Sequence, residues 1–291
     1  SMGLNIVFGI DTTTAAAISG ILGILLFASP KMGGVLDNTA KILGTVMLVL
    51  IAYVAFSTNP PVAEAAAHAV APTHYPWLAT ITLIGGTVGG YITFSGGHRL
   101  IDAGITGQEH LTDVRRAAFM GMTVDAVVRI LLFLAVLGVV SMGYVLDPKD
   151  PAGSAFLLGA GEIGHKLFGI VFFCAALTSV VGAAYTSVSF LKTLFKVVER
   201  YEKLTIMAFI FISTCILIFI GKPATLLILA GSVNGLILPI TLAVMLFATH
   251  KSEIVGDYKH NKLLYYTGWI VVLVTAYIGV TSLQGIAKLL G

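Results

Sequence analysis

Residues 82–99 read TLIGGTVGGYITFSGGHR, from Thr82 to Arg99, and this stretch decides how the chain is read. It lies in an apolar segment long enough to enter a bilayer, interrupted near its middle by Gly85, Gly86, Gly89 and Gly90. Each glycine costs about 1 kcal/mol against alanine inside a helix, so the two pairs predict local unwinding. Amide and carbonyl groups freed in this way are costly when they face lipid. They persist at membrane depth only against packed protein or a water-filled cavity, and secondary transporters bind solutes at such breaks. The stretch therefore points to solute transport. Glycines that stay helical would instead serve close helix packing, because small residues are enriched at membrane helix contacts.

The rest of the sequence supports a membrane setting. Hydrophobic residues make up 57% and charged residues 11%, with a mean hydropathy of +0.96, far from the balance of a soluble domain. A net charge of +3 gives no reason to invoke nucleic acid. Cys174 and Cys215 sit in apolar runs and read as small core residues, not as a disulfide framework or a metal site. Ser1-Met2 resembles the remnant of a cleaved affinity tag, which places the natural start at Met2 or further upstream. Eight spans are marked, at about 5–28, 40–57, 76–103, 117–145, 154–190, 204–220, 223–248 and 263–289. Each is near the roughly 20 residues that cross a hydrocarbon core, and the fifth begins with an interfacial stretch.

Basic residues set the orientation, since lysine and arginine concentrate on the cytoplasmic side. One side holds Lys31, Lys41, Arg99, Arg115, Arg116, Lys192, Lys196, Arg200, Lys203, Lys251, Lys259 and Lys262. The other holds Lys149, Lys166, Lys222 and Lys288. The expected topology puts the loop at 29–39 in the cytoplasm and both termini outside, which implies something further upstream. An inner, cytoplasmic membrane location is the corresponding expectation.

With these segments in order, the chain resembles the second part of an Nramp transporter, the divalent-metal branch of the inverted-repeat transporters. Span 76–103 corresponds to the family's broken sixth helix. The run FGIVFFCAALTSVVGAAYTSVSFLKTLF, Phe168 to Phe195, is similar to its eighth helix, and GSVNGLILPITLAVMLFATH, Gly231 to His250, to its tenth. Asp125, after Arg115-Arg116, suits its seventh. The resemblance runs from the family's fourth helix to its eleventh, with the first three absent. It implies an all-α polytopic membrane protein with a partial inverted-repeat, LeuT-like fold. In one transmembrane domain, 1–291, residues 1–57 would be the last two helices of the first repeat. Residues 76–248 would be the second repeat and 263–291 an extra C-terminal helix.

The departures shape the expected chemistry. Family members carry Asp-Pro-Gly-Asn in a broken first helix, and no such tetrapeptide occurs here. Where the sixth helix of the family reads Met-Pro-His-Asn, this chain has Gly89, Gly90, Tyr91 and Ile92. A further family histidine falls on Gly96, a tenth-helix glutamine falls on Ile237, and Ile206-Met207 stand in place of the arginine-bearing ninth helix. Without the thioether that favours soft transition metals, a hard ion such as magnesium or manganese is the better match.

Individual polar residues carry alternative readings. An unwound segment would let Thr87, Tyr91 and Thr93 offer hydroxyls to a solute, and Gly86 and Thr87 offer carbonyls, with Gly89 and Gly90 lining the cavity. Tyr91 equally suits packing. His98 and Asp102, four apart, share a helix face, and Arg99 pairs with Asp102 at three. This set reads either as an interfacial helix end or as a cytoplasmic gate or proton relay. Asp125 and Arg129 lie one turn apart inside the fourth span and form either a structural pair or a coupling site. Asn234, between Gly231 and Gly235, has interhelical hydrogen bonding as its default role. Pro239 should free a carbonyl one turn earlier. Thr178, Ser179, Thr186, Ser187 and Ser189 are expected to bond back to their own helix.

An enzyme is not expected. No HExxH occurs, GEIGH at Gly161 to His165 lacks the second histidine of a helical zinc site, and no nucleophile, base and orienter set is present. The glycines fit neither a dinucleotide fingerprint nor a Walker loop. No cofactor is expected, no metal-ligand set is assigned, and the partners are the lipid bilayer and a transported ion or small solute. The leading function is alternating-access transport of a divalent cation. A small organic solute such as an amino acid or carboxylate is the alternative, and a non-transporting fragment or scaffold the third. Homodimerisation is one way in which a shortened chain would cover an open cavity.

Overall fold

A computed structural model describes residues 1–28, 30–88, 97, 100–101 and 103–290. Among the described residues there are twelve helices and no strand. They are α1 (Met2–Phe8), α2 (Thr12–Ala28), α3 (Pro30–Ser57), α4 (Val62–Val70), α5 (Trp77–Thr87) and α6 (Leu111–Ser141). There follow α7 (Pro151–Leu194), α8 (Lys196–Arg200), α9 (Glu202–Ile220), α10 (Pro223–Ala248), α11 (Ser252–Val255) and α12 (Lys262–Leu290). Five of these (α6, α7, α9, α10 and α12) are long and apolar enough to cross a membrane, and the bent pairs α1–α2 and α3–α4 raise the total to seven. The chain is an all-α, multi-pass membrane protein. Of the marked spans, 76–103 coincides with α5 at its start and otherwise falls largely outside the described residues.

The marked span 5–28 is not one helix. α1 and α2 are bent by 114°, and Phe8-Gly9-Ile10-Asp11 contains both the stop and the start. Gly9 adopts φ 67°, the left-handed conformation that ends helices, and donates its N–H to Asn5 O at 2.8 Å. Asn5 Nδ2 donates to Ile10 O at 2.8 Å, and Asp11 Oδ2 accepts the Thr14 N–H at 3.0 Å. Both helix ends at the bend are thereby capped.

Two compact units make up the chain, Ser1–Thr73 with Thr112–Pro223, and His74–Leu111 with Ala224–Gly291. In the first, α7 is the central helix. Leu50, Ile51, Val54 and Ala55 of α3, Ala135 and Val139 of α6, and Phe156 and Phe168 of α7 form a buried core. Phe156, Phe168 and Phe172 stack in series, with ring centroids 4.5 and 5.3 Å apart. A second cluster joins Ala184 and Val188 of α7 to Ile206 and Ile210 of α9, with Ile24 and Phe27 of α2 against it. Asp150 caps α7 by accepting the Gly153 N–H at 2.9 Å, with Pro151 opening the first turn. The helix is broken at Gly161 (φ 68°, ψ −170°), a conformation open essentially to glycine alone. The break separates 151–160 from the long apolar run 162–194.

In the second unit, α5 and α12 run antiparallel. Leu78 meets α12 at Gly285, while Ile84 and Val88 share a pocket with Val271 and Thr275. α10 and α12 are also antiparallel, with Leu246 at Gly268, Leu236 at Gly279, and the Phe247 and Trp269 rings 5.0 Å apart. At the start of α5, Trp77 stacks on Tyr75 at 5.1 Å and meets the edge of Tyr277 at 5.7 Å. Such amphipathic rings suit the membrane–water interface.

Candidate functional site

A tightly packed polar locus of the second unit is the crossing of α5 with α10. Ile81 and Gly85 are the buried residues of α5. Gly231, Ser232, Gly235 and Leu238 occupy one face of α10, since residues three and four apart share a face. A Cβ built on Gly85 would strike the Gly231 carbonyl oxygen and the Gly235 amide nitrogen, and would lie 2.9 Å from Gly235 Cα. Conversely, a Cβ on Gly235 would lie 2.5 Å from Ile81 O, and one on Gly231 2.9 Å from Thr82 O. Backbone meets backbone here, which only paired small residues allow.

One polar contact spans this crossing. The Thr82 and Ser232 hydroxyls are 2.7 Å apart. Each also lies on a carbonyl one turn back in its own helix, Thr82 on Leu78 O at 2.7 Å and Ser232 on Ile228 O at 2.8 Å. The two hydroxyl protons can make only two of these three bonds, and oxygen lone pairs remain unused. Pro239 lies inside α10 and has no N–H, which leaves the Gly235 carbonyl without its intrahelical donor. Asn234 is half-buried, and its amide has no hydrogen-bond partner among the described residues. α5 and α10 thus carry neutral oxygens, two hydroxyls at the crossing and the Gly235 carbonyl without its intrahelical donor, while Asn234 lies about 160° around α10 from Ser232 at about 100° per residue.

Gly85, Gly86 and Thr87 remain helical, so the unwinding expected from the glycine pairs is not found at the first of them. Close packing holds Gly85 helical, whereas Gly86 is exposed and a Cβ there would meet nothing within 4 Å. The Thr87 hydroxyl donates to Leu83 O in its own helix, which leaves its oxygen lone pairs as acceptors. Gly89, Gly90, Tyr91, Thr93, His98, Arg99 and Asp102 lie outside the described residues.

Asp125 and Arg129 belong to α6, in the first unit. Arg129 Nε donates to Asp125 Oδ2 at 2.7 Å, with the side chains 41% and 48% exposed respectively. The pair is closed within one helix, the arrangement that most reduces the cost of two charges on an apolar helix. Thr178, Thr186 and Ser187 bond back to carbonyls of α7, as expected of hydroxyls inside a helix.

No group of three or more histidine, cysteine, aspartate or glutamate side chains converges to hold a metal among the described residues. A pocket of about 320 Å³ beside the crossing, lined by Ile84, Val88, Leu238, Thr241, Leu242, Met245, Val271 and Thr275, is apolar. Its two hydroxyls are spent on their own helices, Thr241 on Leu238 O at 2.9 Å and Thr275 on Val271 O at 2.7 Å. Thr82 and Ser232 were not singled out from sequence. The signal that could have found them is the spacing of Gly231-Ser-Val-Asn-Gly235 facing a second glycine pair.

Comparison with known proteins agrees with this architecture. The family model for Nramp, described as natural resistance-associated macrophage protein-like, matches residues 1–284. A Bacillus subtilis (strain 168) protein, described as the uncharacterized membrane protein YcsG, is 49% identical over 282 residues, covering 97% of this chain and 70% of its own. An uncharacterized membrane protein of Haemophilus influenzae (strain ATCC 51907 / DSM 11121 / KW20 / Rd) is 50% identical over 275 residues, covering 94% of this chain and 69% of its own.

Proposed function

The chain belongs to the Nramp family of membrane proteins, and from that membership we propose that it takes part in moving a divalent metal cation across the inner membrane by alternating access. The family match over residues 1–284 carries the reading. It implies metal-ion transport in general, and the finer features proposed here are eight spans, an inverted-repeat LeuT-like arrangement and a hard ion such as magnesium or manganese.

The kinds of oxygen that α5 and α10 carry support the choice of ion. Hydroxyl, carboxamide and backbone carbonyl oxygens suit magnesium and manganese, which take oxygen ligands and retain water. α5 has 11 residues and is therefore about 16 Å long, roughly half of a hydrocarbon core of about 30 Å. With Trp77 at an interface, its C-terminal end falls near mid-membrane. A helix C-terminus presents carbonyl oxygens and the negative end of the dipole, which favours a cation over a carboxylate. In this reading Gly86, Thr87, Gly89, Gly90, Tyr91 and Asn234 border the solute. His98, Arg99, Asp102, Asp125 and Arg129 gate it or relay protons.

Uptake of manganese into proteoliposomes, followed by quenching of a trapped dye, tests the proposal. The expected result is manganese uptake that unlabelled magnesium competes with and that Asn234→Ala lowers. Uptake of a labelled amino acid under the same conditions, without manganese entry, would overturn it in favour of an organic solute.

A further inference from the structure

We propose that the connection between α7 and α9 is a binding site for anionic phospholipid headgroups, built on the short helix α8. The connection joins two long apolar helices, and α9, with 19 residues, is about 28 Å long and just spans the hydrocarbon. Its first residues, Glu202 and Lys203, therefore sit at a membrane surface, and so does α8 immediately before them.

α8 has one residue facing the protein. Val198 packs against the cluster of Ala184, Val188, Ile206 and Ile210. At about 100° per residue, Lys196 and Arg200 both fall within roughly 20° of the direction opposite Val198. Both are exposed, as is Lys203. Lys192 is excluded from the site, because its ammonium lies 3.4 Å from Glu202 Oε1 and each charge offsets the other. That leaves Lys196, Arg200 and Lys203 as outward cations, opposed by Glu199 alone in this segment.

Apolar side chains surround these cations. Leu194, Phe195, Val197, Tyr201 and Leu204 are 51 to 71% exposed, and the Arg200 guanidinium lies 5.6 Å from the centre of the Tyr201 ring. Alternating exposed cations and exposed aliphatic and aromatic groups match the bilayer interface, where phosphates lie above the first methylenes. A water-facing loop would gain nothing from five exposed apolar side chains, and a hydrocarbon-facing one could not hold three cations. A phospholipid of negative headgroup satisfies both sets, and phosphatidylglycerol is the probe of choice.

The test uses the purified chain in mixed micelles of phosphatidylglycerol and phosphatidylcholine, with retained lipid counted by native mass spectrometry. Wild type is expected to retain phosphatidylglycerol over phosphatidylcholine. Each cation is expected to contribute about fivefold in affinity. The variant Lys196→Gln/Arg200→Gln/Lys203→Gln should therefore bind phosphatidylglycerol roughly a hundredfold more weakly. The charge-keeping variant Lys196→Arg/Lys203→Arg should match wild type, as should Lys149→Gln/Lys166→Gln/Lys222→Gln, which removes the same charge elsewhere. Equal retention of the two lipids by wild type overturns the proposal. So does unchanged retention in the triple glutamine variant at 196, 200 and 203, or an equal loss in the charge-keeping variant.

Discussion

A single methyl group distinguishes two neighbouring glycines of α5. At Gly85 a Cβ would overlap the Gly231 carbonyl oxygen and the Gly235 amide nitrogen, both backbone atoms that cannot rotate away. To restore van der Waals contact, α5 and α10 must separate by about 1 Å or more, which loosens Ile81, fully buried, and lengthens the 2.7 Å Thr82–Ser232 contact. Overpacking of this kind costs about 1–3 kcal/mol, and an interhelical hydrogen bond in a membrane about 0.6 kcal/mol. Gly85→Ala should thus lose about 2–3 kcal/mol, a fall of roughly 4–12 °C in melting temperature at about 2–4 °C per kcal/mol. Gly86→Ala meets nothing within 4 Å and should be neutral or gain up to about 1 kcal/mol of helix propensity. The assay is the melting of both variants in one detergent. Equal melting temperatures, or a larger loss at Gly86, would refute the close crossing of α5 and α10.

Other substitutions probe independent features of the structure. Gly161→Ala has open space for its methyl but must adopt φ 68°, so a loss of about 1–3 kcal/mol is expected from backbone strain alone, read by thermal melting. A double-mutant cycle of Thr82→Val with Ser232→Ala should give a coupling of about 0.6 kcal/mol and no more than about 1.7 kcal/mol. Asp125→Asn or Arg129→Gln alone leaves one charge unpaired on α6 and should cost about 1–3 kcal/mol, while the double variant recovers most of the loss; folded yield and melting temperature report it. Asp150→Ala removes the cap of α7 and should cost about 1 kcal/mol.

Much of the fold is legible in the sequence because long apolar runs between polar loops have few alternatives. α6, α7, α9, α10 and α12 each correspond to a marked span. The break between α1 and α2 was missed because hydropathy averages over Gly9 and Asp11, whereas capping depends on those two residues singly. The glycine-rich stretch shows a subtler limit. Helix propensity gives Gly85 and Gly86 the same tendency to unwind, yet tertiary packing uses Gly85 as a contact point and leaves Gly86 bare. The glycines of the α5–α10 crossing and Pro239 of α10 stand out in the sequence by residue type alone. Sequence could not show that Thr82 meets Ser232, because that pairing depends on the register of two helices 150 residues apart. The i,i+4 pair Asp125–Arg129 was readable from spacing alone, since both partners share one helix.

The most direct test of a divalent cation as ligand is a melting titration of the purified chain against manganese, magnesium and a set of amino and carboxylic acids. A ligand at about 100 times its Kd adds roughly 2.7 kcal/mol to the folded state, which is about 5–10 °C here. Manganese and magnesium are expected to raise the melting temperature by that amount, Asn234→Ala to reduce the shift, and the organic acids to leave it unchanged. A shift produced by an organic acid and by neither divalent ion would contradict it.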